Sequence, residues 1–128
     1  SVCCAEKGTM ALELAEVQSF VSDLNAAREF YGDLLGLPLK QSSDQWLIFE
    51  VSGIDLILMG GAARHPERGE YGQEAATVLV LKSDDIEADY ARLSARGVRF
   101  FSEVKTVPQG KYVGLQDPDG NLLELIQT

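Results

Sequence analysis

Hydrophobic and polar positions follow the same order in two stretches of the chain. The first, LELAEVQSFVSDLNAAREFYGDLLGLPL, begins at Leu12, and the second, ATVLVLKSDDIEADYARLSARGVRF, begins at Ala76. Each has an apolar segment with strand-like spacing, a Ser-Asp pair, a segment with helical spacing, and a glycine before the next apolar run. The pattern predicts one supersecondary unit that occurs twice.

Both predicted helices have start and stop signals. Asp23 and Asp84 are candidate N-caps, and Glu87, three residues after Asp84, gives the second helix capping-box spacing. Gly36 and Gly97 are suited to end the helices because glycine adopts a positive φ without strain. The apolar face of each helix is expected to carry Leu24, Ala27, Tyr31 and Leu34 in the first, and Ile86, Tyr90 and Leu93 in the second.

Further strand-like runs follow each helix, around residues 39–40, 46–51 and 54–59 in the first unit and 99–102, 112–116 and 122–126 in the second. The sequence therefore predicts an α+β fold of two βαβββ modules, at about 11–60 and 76–128, joined by a polar, glycine-rich linker at about 61–75. Such a module cannot bury both faces of its sheet alone. We expect the modules to pair, within one chain or across two, into a curved mixed sheet that forms a cleft, with the helices outside. Residues 10–128 would then be a single domain.

A carboxylate interrupts the last predicted strand. In QDPDGNLLELIQT, Asp-Pro-Asp-Gly is turn chemistry, and the apolar run that follows contains Glu124. A charge with apolar neighbours on both sides must face water, a cavity or a partner. On the inner face of the paired sheets, Glu124 would point into the cleft.

The charge balance limits the partners. Eleven basic and twenty acidic residues give a net charge of −9, which argues against nucleic acid and anionic membranes. No apolar run approaches the about 20 residues of a membrane span, and no secretory signal is evident. Cys3 and Cys4 cannot form a Cys/His zinc set with the one histidine of the chain, so a cytoplasmic protein is predicted. Residues 1–9 are set apart as a tail that vector sequence could supply, with Met10 as a candidate native start.

The paired modules, the segment FVSDLNAAREFYGDLLGLPL and the closing motif DPDGNLLELIQ together resemble the vicinal oxygen chelate superfamily. That group includes glyoxalase I, extradiol dioxygenases, fosfomycin-resistance thiol transferases and bleomycin-resistance proteins. The resemblance covers nearly all of residues 11–128 and implies a homodimer whose clefts are completed across a two-fold axis. It does not specify the chemistry, because this fold carries isomerases, dioxygenases, transferases and pure binding proteins.

The resemblance also implies where a metal would bind. Metal-using members take ligands from the first and last strands of their modules, and those positions hold Glu16 and Glu124 here. Val78, or Thr77 if the helix register shifts by one, stands where a histidine is usual, and Ile57 stands where glyoxalases carry Glu. Two carboxylates without imidazole can hold a hard cation such as Mg²⁺ or Mn²⁺ only weakly, and they disfavour Fe²⁺, Ni²⁺ and Zn²⁺.

Alternation along the strands predicts further ligand contacts. In QWLIFEV, residues 47, 49 and 51 form a core-like face, so Trp46 is expected to face the cleft or a subunit contact. Trp46 and Tyr112 could stack a planar or cationic ligand, or simply pack. His65, in the linker, is expected to be solvated. The predicted ligand-contact residues are Glu16, Gln18, Trp46, Val78, Tyr112 and Glu124.

Two classes of function stay open. One is a metal-independent, cofactor-free binding protein of the bleomycin-resistance-like type, which sequesters a cationic or aromatic small molecule. The other is a glyoxalase-like lyase, isomerase or thiol transferase that uses Glu16 and Glu124 around Mn, Ni, Zn or Mg, or Glu124 as a catalytic acid or base. An extradiol dioxygenase is disfavoured because it needs two histidines. The cleft could also be vestigial, with the protein acting through its surface. Separately, Glu124 could be a simple hydrogen-bond acceptor without a metal.

Overall fold

The computed structural model describes residues 12–62 and 77–128. Predictions for the tail, for Cys3 and Cys4, and for most of the linker, including His65, lie outside these residues. The elements in chain order are β1 (Glu16–Phe20), α1 (Leu24–Ala27) with its π-helical continuation (Arg28–Leu34), β2 (Leu39–Ser42), β3 (Trp46–Val51), β4 (Ile54–Met59), β5 (Leu79–Lys82), α2 (Ile86–Ala95), β6 (Arg99–Phe100), β7 (Lys105–Val107), β8 (Gly110–Gln116) and β9 (Leu122–Gln127).

The strands form two mixed sheets with related topology. Sheet 1 has the order β1-β4-β3-β2, and sheet 2 has the order β5-β9-β8-β6, with β7 also paired to β8. In each sheet the first strand runs parallel to the last strand of its module, and the other pairs are antiparallel. The α+β class and the two βαβββ modules are therefore confirmed. The short strand β7 was not predicted, since its three residues are all exposed and show no apolar pattern.

The first helix is wider than its spacing predicts. After one α-helical turn, capped by Asp23, the chain continues as a π-helix, with a hydrogen bond of 2.9 Å from Leu35 N to Phe30 O. The wider turn lets the adjacent aromatic residues Phe30 and Tyr31 both enter the core, where they are 4% and 1% exposed. Their rings pack edge to face with centroids 5.0 Å apart. The helix ends at Gly36 with φ 77°, as predicted.

The second helix begins one residue later than predicted. Asp85, not Asp84, is the N-cap, and its side chain accepts a hydrogen bond from Ala88 N. The buried Ser83 fixes this register, because its hydroxyl accepts from Asp85 N and donates to Asp89 at 2.6 Å. The predicted capping box does not form, since Glu87 pairs with Lys111 instead. In the described ranges neither helix is long and apolar enough to cross a membrane.

One hydrophobic cluster joins the two modules. It contains the core-facing positions of both sheets and the apolar faces of both helices, including Tyr31, Phe49, Ile86, Leu115 and Leu123. No strand of sheet 1 pairs with a strand of sheet 2 in the part of the chain that the structure describes. Packing of the helix-bearing sides, rather than a continuous hydrogen-bonded sheet, therefore holds the modules together within one chain.

Candidate ligand-binding site

Each sheet has a second face that points away from the shared core, which we call its open face. On sheet 1 this face carries rows of neighbouring residues, one of Phe20, Met59 and Trp46 and the next of Gln18, Ile57 and Ile48. On sheet 2 the corresponding rows are Lys82, Ile126 and Tyr112, and Val80, Glu124 and Gly114. Phe20 and Val80 are 51% and 47% exposed, so apolar side chains on both open faces are accessible.

Glu124 lies at the centre of the open face of sheet 2. Its neighbours on the flanking strands are Val80 and Gly114, and it is half-buried. A cavity of about 400 Å³ opens here, lined by β7, β8 and β9 and including Tyr112 and Glu124. The carboxylate in the middle of an apolar strand thus lines a cavity that module 2 forms alone, and its position in a cleft between two modules stays a prediction.

The pairing registers show which positions of the two modules correspond. Glu16 lies seven residues before the N-cap Asp23, and Val78 lies seven residues before the N-cap Asp85. The corrected cap therefore selects Val78 over Thr77 as the first-strand position of the second module. The cross-strand pair Gln18–Ile57 in module 1 corresponds to the pair Val80–Glu124 in module 2, so Ile57 occupies the position equivalent to Glu124. Glu124 consequently has no acidic counterpart on the last strand of module 1.

The other predicted contact residues also lie on or beside the open faces. Glu16 and Gln18 are exposed and bonded to each other, with Gln18 Nε2 donating to Glu16 Oε2 at 2.8 Å. Trp46 and Tyr112 occupy equivalent positions, paired with Met59 and Ile126 respectively. Val78 is half-buried just before β5. The structure brings Tyr112 and Glu124 to one cavity, whereas Glu16, Gln18 and Trp46 belong to the other sheet. Their roles in binding stay predictions.

In the first module, Glu16 lies beside a second carboxylate, that of Asp55, which is paired with a lysine. Asp55, the neighbour of Glu16, accepts hydrogen bonds from Lys40 Nζ at 3.0 and 3.3 Å. The hydrogen bond with Asp55 and its negative charge raise the pKa of Lys40. Such exposed pairs contribute little to stability. Because Lys40 binds the carboxylate of Asp55, the cross-strand neighbour of Glu16, Asp55 is not available as an additional metal ligand.

The residues at the family's metal positions do not fit a metal site. Of the four positions, Val78 and Ile57 have no donor atom, and Glu16 is engaged with Gln18. Within residues 12–62 and 77–128, no three His, Cys, Asp or Glu side chains are grouped so that they could hold an ion. Transition metals prefer imidazole or thiolate ligands, and a stable hard-cation site needs several oxygens.

The DPDGN motif has a role that its sequence did not reveal, because it clamps the modules together. Asp117 is 5% exposed, and its carboxylate accepts hydrogen bonds from the Tyr31 hydroxyl, Asp119 N, Asn121 N and Asn121 Nδ2 at 2.8–2.9 Å. Asn121 Nδ2 also donates to Phe20 O. Ser22 N donates to Asp119 Oδ2 at 3.0 Å. The one signal in the sequence was that the DPDGN turn carries three polar side chains, Asp117, Asp119 and Asn121, which is more than a turn requires.

The clamp changes the ionisation of its tyrosine. Burial raises the pKa of Tyr31 well above its ordinary value, and the negative charges of Asp117 and Asp119 and the hydrogen bond to Asp117 raise it further. Tyr31 therefore stays protonated and donates its hydroxyl proton throughout the neutral range.

Comparisons with known proteins agree with this fold. The model of the Glyoxalase/Bleomycin resistance protein/Dioxygenase superfamily matches residues 13–125. Among curated proteins, the chain is 29% identical to the uncharacterized protein YwbC of Bacillus subtilis (strain 168) over 131 residues, which cover 92% of this chain and 99% of that protein.

Two solved structures illustrate the range of chemistry on this fold. TnmS3, an antibiotic binding protein from a Streptomyces species, is 30% identical, with a TM-score of 0.64 over 92% of this chain and 98% of that chain. The fosfomycin resistance protein FosX from Listeria monocytogenes, in complex with Mn(II) and sulfate, is 21% identical, with a TM-score of 0.74 over 92% of this chain and 91% of that chain. The second likeness is one of fold alone. The chain belongs to the glyoxalase/bleomycin resistance protein/dioxygenase superfamily.

Proposed function

We propose that this protein binds and sequesters a small molecule at the open faces of its sheets without a metal ion. The observation that carries the proposal is that Val78 and Ile57, which have no donor atom, stand at positions where metal-using members carry ligands, whereas Glu124 lines a cavity. Members of the superfamily bind small molecules, and TnmS3, at 30% identity, is named as an antibiotic binding protein. A site with one carboxylate, apolar neighbours and no metal ligand set suits recognition better than Lewis-acid chemistry.

The residues around Glu124 favour a planar or aromatic cation as the ligand. Tyr112 lines the same cavity, and Lys111, which also lines it, is neutralised by Glu87 at 3.3 Å. An aromatic ring and a carboxylate recognise a cationic aromatic compound through stacking, cation–π attraction and charge. The net charge of −9 favours the approach of cations from solution.

The open faces also favour a homodimer, as is common in the superfamily. Phe20 and Val80 expose apolar surface on separate sheets of one chain. If the open face of sheet 1 covers that of sheet 2 in a second copy, Trp46 and Glu124 would line one enclosed cleft. We expect twice the mass of a single chain by light scattering, and a shift to monomer in Phe20→Lys. A wild-type monomer that still binds ligand would contradict this arrangement.

Binding can be measured by the fluorescence of Trp46, the one tryptophan of the chain. We expect ethidium, berberine and acridine orange to bind saturably, and fluorescein, an anionic planar dye, not to bind. Mass spectrometry should recover each dye unchanged. Glu124→Gln should weaken binding about tenfold, the loss typical of a charge-assisted contact. Glu103→Gln, on an exposed loop, is the matched control and should bind like the wild type.

The competing metalloenzyme hypothesis makes a different prediction. A tightly bound ion present at 100 times its dissociation constant stabilises a protein by about 2.7 kcal/mol. We expect Mn²⁺, Ni²⁺, Zn²⁺ and Mg²⁺, and their removal by EDTA, to leave the melting temperature unchanged. A stoichiometric ion whose stabilising effect disappears in Glu124→Gln would overturn the metal-independent proposal.

A further inference from the structure

A second cavity lies at the junction of the modules, at the end of the β8–β9 hairpin. It has a volume of about 320 Å³ and lies between the π-helical segment on one side and the end of α2, β6 and the DPDGN turn on the other. Among the residues that the structure describes, it shares no lining residue with the Glu124 cavity. Its volume is at the lower end of the range for small-molecule sites, about 300–1,000 Å³.

One wall of this junction cavity is apolar and already ordered. Phe30 and Leu34 are 4% and 8% exposed, and Val98 lies beside them. Asp117 also lines the cavity, but its carboxylate is saturated by the hydrogen bonds of the module clamp. An apolar group of a ligand could therefore pack here without displacing a hydrogen bond of the fold.

Gln116, which lies on the same face of β8 as Gly114, lines the cavity. It is 6% exposed, yet its carboxamide has no hydrogen-bond partner among the described residues. In those residues the one fully enclosed side-chain polar atom without a partner is Asp119 Oδ1, so the amide atoms of Gln116 keep contact with open space. Buried amides normally form hydrogen bonds. The cavity that Gln116 lines is where a ligand can provide them.

The rim carries charges of both signs that do not neutralise each other. Arg96 and Arg99 and the carboxylate Glu29 are exposed at the cavity. None of the three forms an ion pair within the described residues, whose ion pairs are Lys40–Asp55, Arg92–Asp89 and Lys111–Glu87. Arg99 is the cross-strand neighbour of Gln116, so a guanidinium and a carboxamide share one side of the cavity.

We propose that the junction cavity binds a small zwitterion of the apolar α-amino acid class. The carboxylate of the ligand would contact Arg96 and Arg99, with a hydrogen bond from Gln116. Its ammonium group would face Glu29, and its side chain would pack on Phe30 and Leu34. A zwitterion matches unpaired charges of both signs, whereas a simple anion would meet Glu29 and a simple cation would meet two guanidinium groups.

Such a ligand would also stabilise the contact between the modules. Glu29 and Phe30 belong to module 1, and Arg96, Arg99 and Gln116 belong to module 2. Any molecule that bridges them and binds only the folded state shifts the unfolding equilibrium toward the native protein. The proposal does not depend on the function of the open faces.

The test is a titration of the full chain with L-leucine, L-methionine and L-phenylalanine, followed by amide NMR shifts. We expect saturable binding, with the shifts centred on residues 26–34 and 96–99 and on the segment around Gln116. Isopentylamine and 4-methylpentanoate, which match leucine without its carboxylate or its ammonium group, should each bind at least about tenfold more weakly. The proposal would be overturned if none of the three amino acids binds saturably.

Variants separate this site from a general charge effect. Arg99→Gln and Glu29→Gln should each weaken amino acid binding about tenfold. Arg28→Gln, which removes an exposed charge on the same helix away from the cavity, should have no effect. Equal weakening by Arg28→Gln would refute the assignment. Glu124→Gln should leave amino acid binding unchanged, so failure of either proposal can be recognised without the other.

Discussion

The hydroxyl of Tyr31 donates a hydrogen bond of 2.8 Å to Oδ2 of Asp117, although 86 residues separate them in the sequence. Tyr31 belongs to the helix of module 1, and Asp117 opens the turn before the last strand of module 2. Since the two sheets are not hydrogen-bonded to each other in the described ranges, this contact is one of the few polar links across the module junction. The closing motif is therefore a clamp as well as a turn.

Removal of the clamp hydroxyl should destabilise the protein. Tyr31→Phe leaves the ring packing intact but removes a buried hydrogen bond to a carboxylate, which costs about 1.5–3 kcal/mol. Denaturation by urea measures this loss as a lower transition midpoint. Tyr90→Phe is the matched control, since no hydrogen bond of the Tyr90 hydroxyl occurs within the described residues and it should cost less than about 0.5 kcal/mol. Equal losses in the two variants would show that the clamp contributes nothing specific.

The same hydroxyl predicts how stability depends on pH. The pKa of Tyr31 is raised in the folded state above its unfolded value near 10. Unfolding at high pH therefore releases a proton that the folded protein retains, so this contribution is complete below about pH 10 and is lost as the pH rises toward the folded pKa. We expect the wild type to lose more stability than Tyr31→Phe between neutral pH and about pH 11. Parallel curves for the two proteins would contradict the raised pKa.

The start of the second helix gives a prediction with an internal control. Asp85→Ala should cost about 1 kcal/mol, because it leaves Ala88 N without its capping acceptor. Asp84→Ala, at the exposed neighbouring position, should change the free energy of unfolding by less than about 0.5 kcal/mol. Thermal unfolding of both variants decides between the two caps. A larger loss in Asp84→Ala would restore the register that the Ser-Asp pattern predicts.

Gly110 should not tolerate a side chain. Its φ is 145°, and a Cβ there would overlap the carbonyl oxygen of Gln127 on the neighbouring strand. Gly53 also has a positive φ of 83°, but an added Cβ would meet open space. Gly53→Ala should therefore cost only the backbone strain of about 1–2 kcal/mol, and Gly110→Ala should cost about 1–3 kcal/mol more. Comparable melting temperatures in the two variants would exclude the overlap.

Gly110→Ala should also affect ligand binding, because Gly110 lines the cavity of Glu124. We expect weaker binding of ethidium by this variant under conditions in which it is fully folded, and unchanged binding by Gly53→Ala. Circular dichroism at the temperature of the binding experiment checks the folded fraction. Normal binding by folded Gly110→Ala would show that the β8–β9 end of the cavity is not used.

The sequence by itself determined the modules and most of their strands. The alternation in QWLIFEV placed Leu47 and Phe49 in the core and Trp46 on the opposite face, because successive side chains of a strand point to opposite sides. Gly36 and Gly97 ended the helices as predicted, with φ of 77° and 88°. The charge of Glu124 predicted water, a cavity or a partner beside it, because burying a charge among apolar side chains is costly. All these inferences rest on residue types and their spacing within a single strand, helix or turn.

Only the tertiary structure decided the features that depend on two distant segments. The π-helix forms because the core accepts both Phe30 and Tyr31, and the N-cap shifts to Asp85 because buried Ser83 bonds to Asp89. The link from Asp117 to Tyr31 and the unpartnered amide of Gln116 arise from the packing of one module on the other. The sequence does not reveal such contacts, because the residues that form them are far apart in the chain and meet only when the modules pack together.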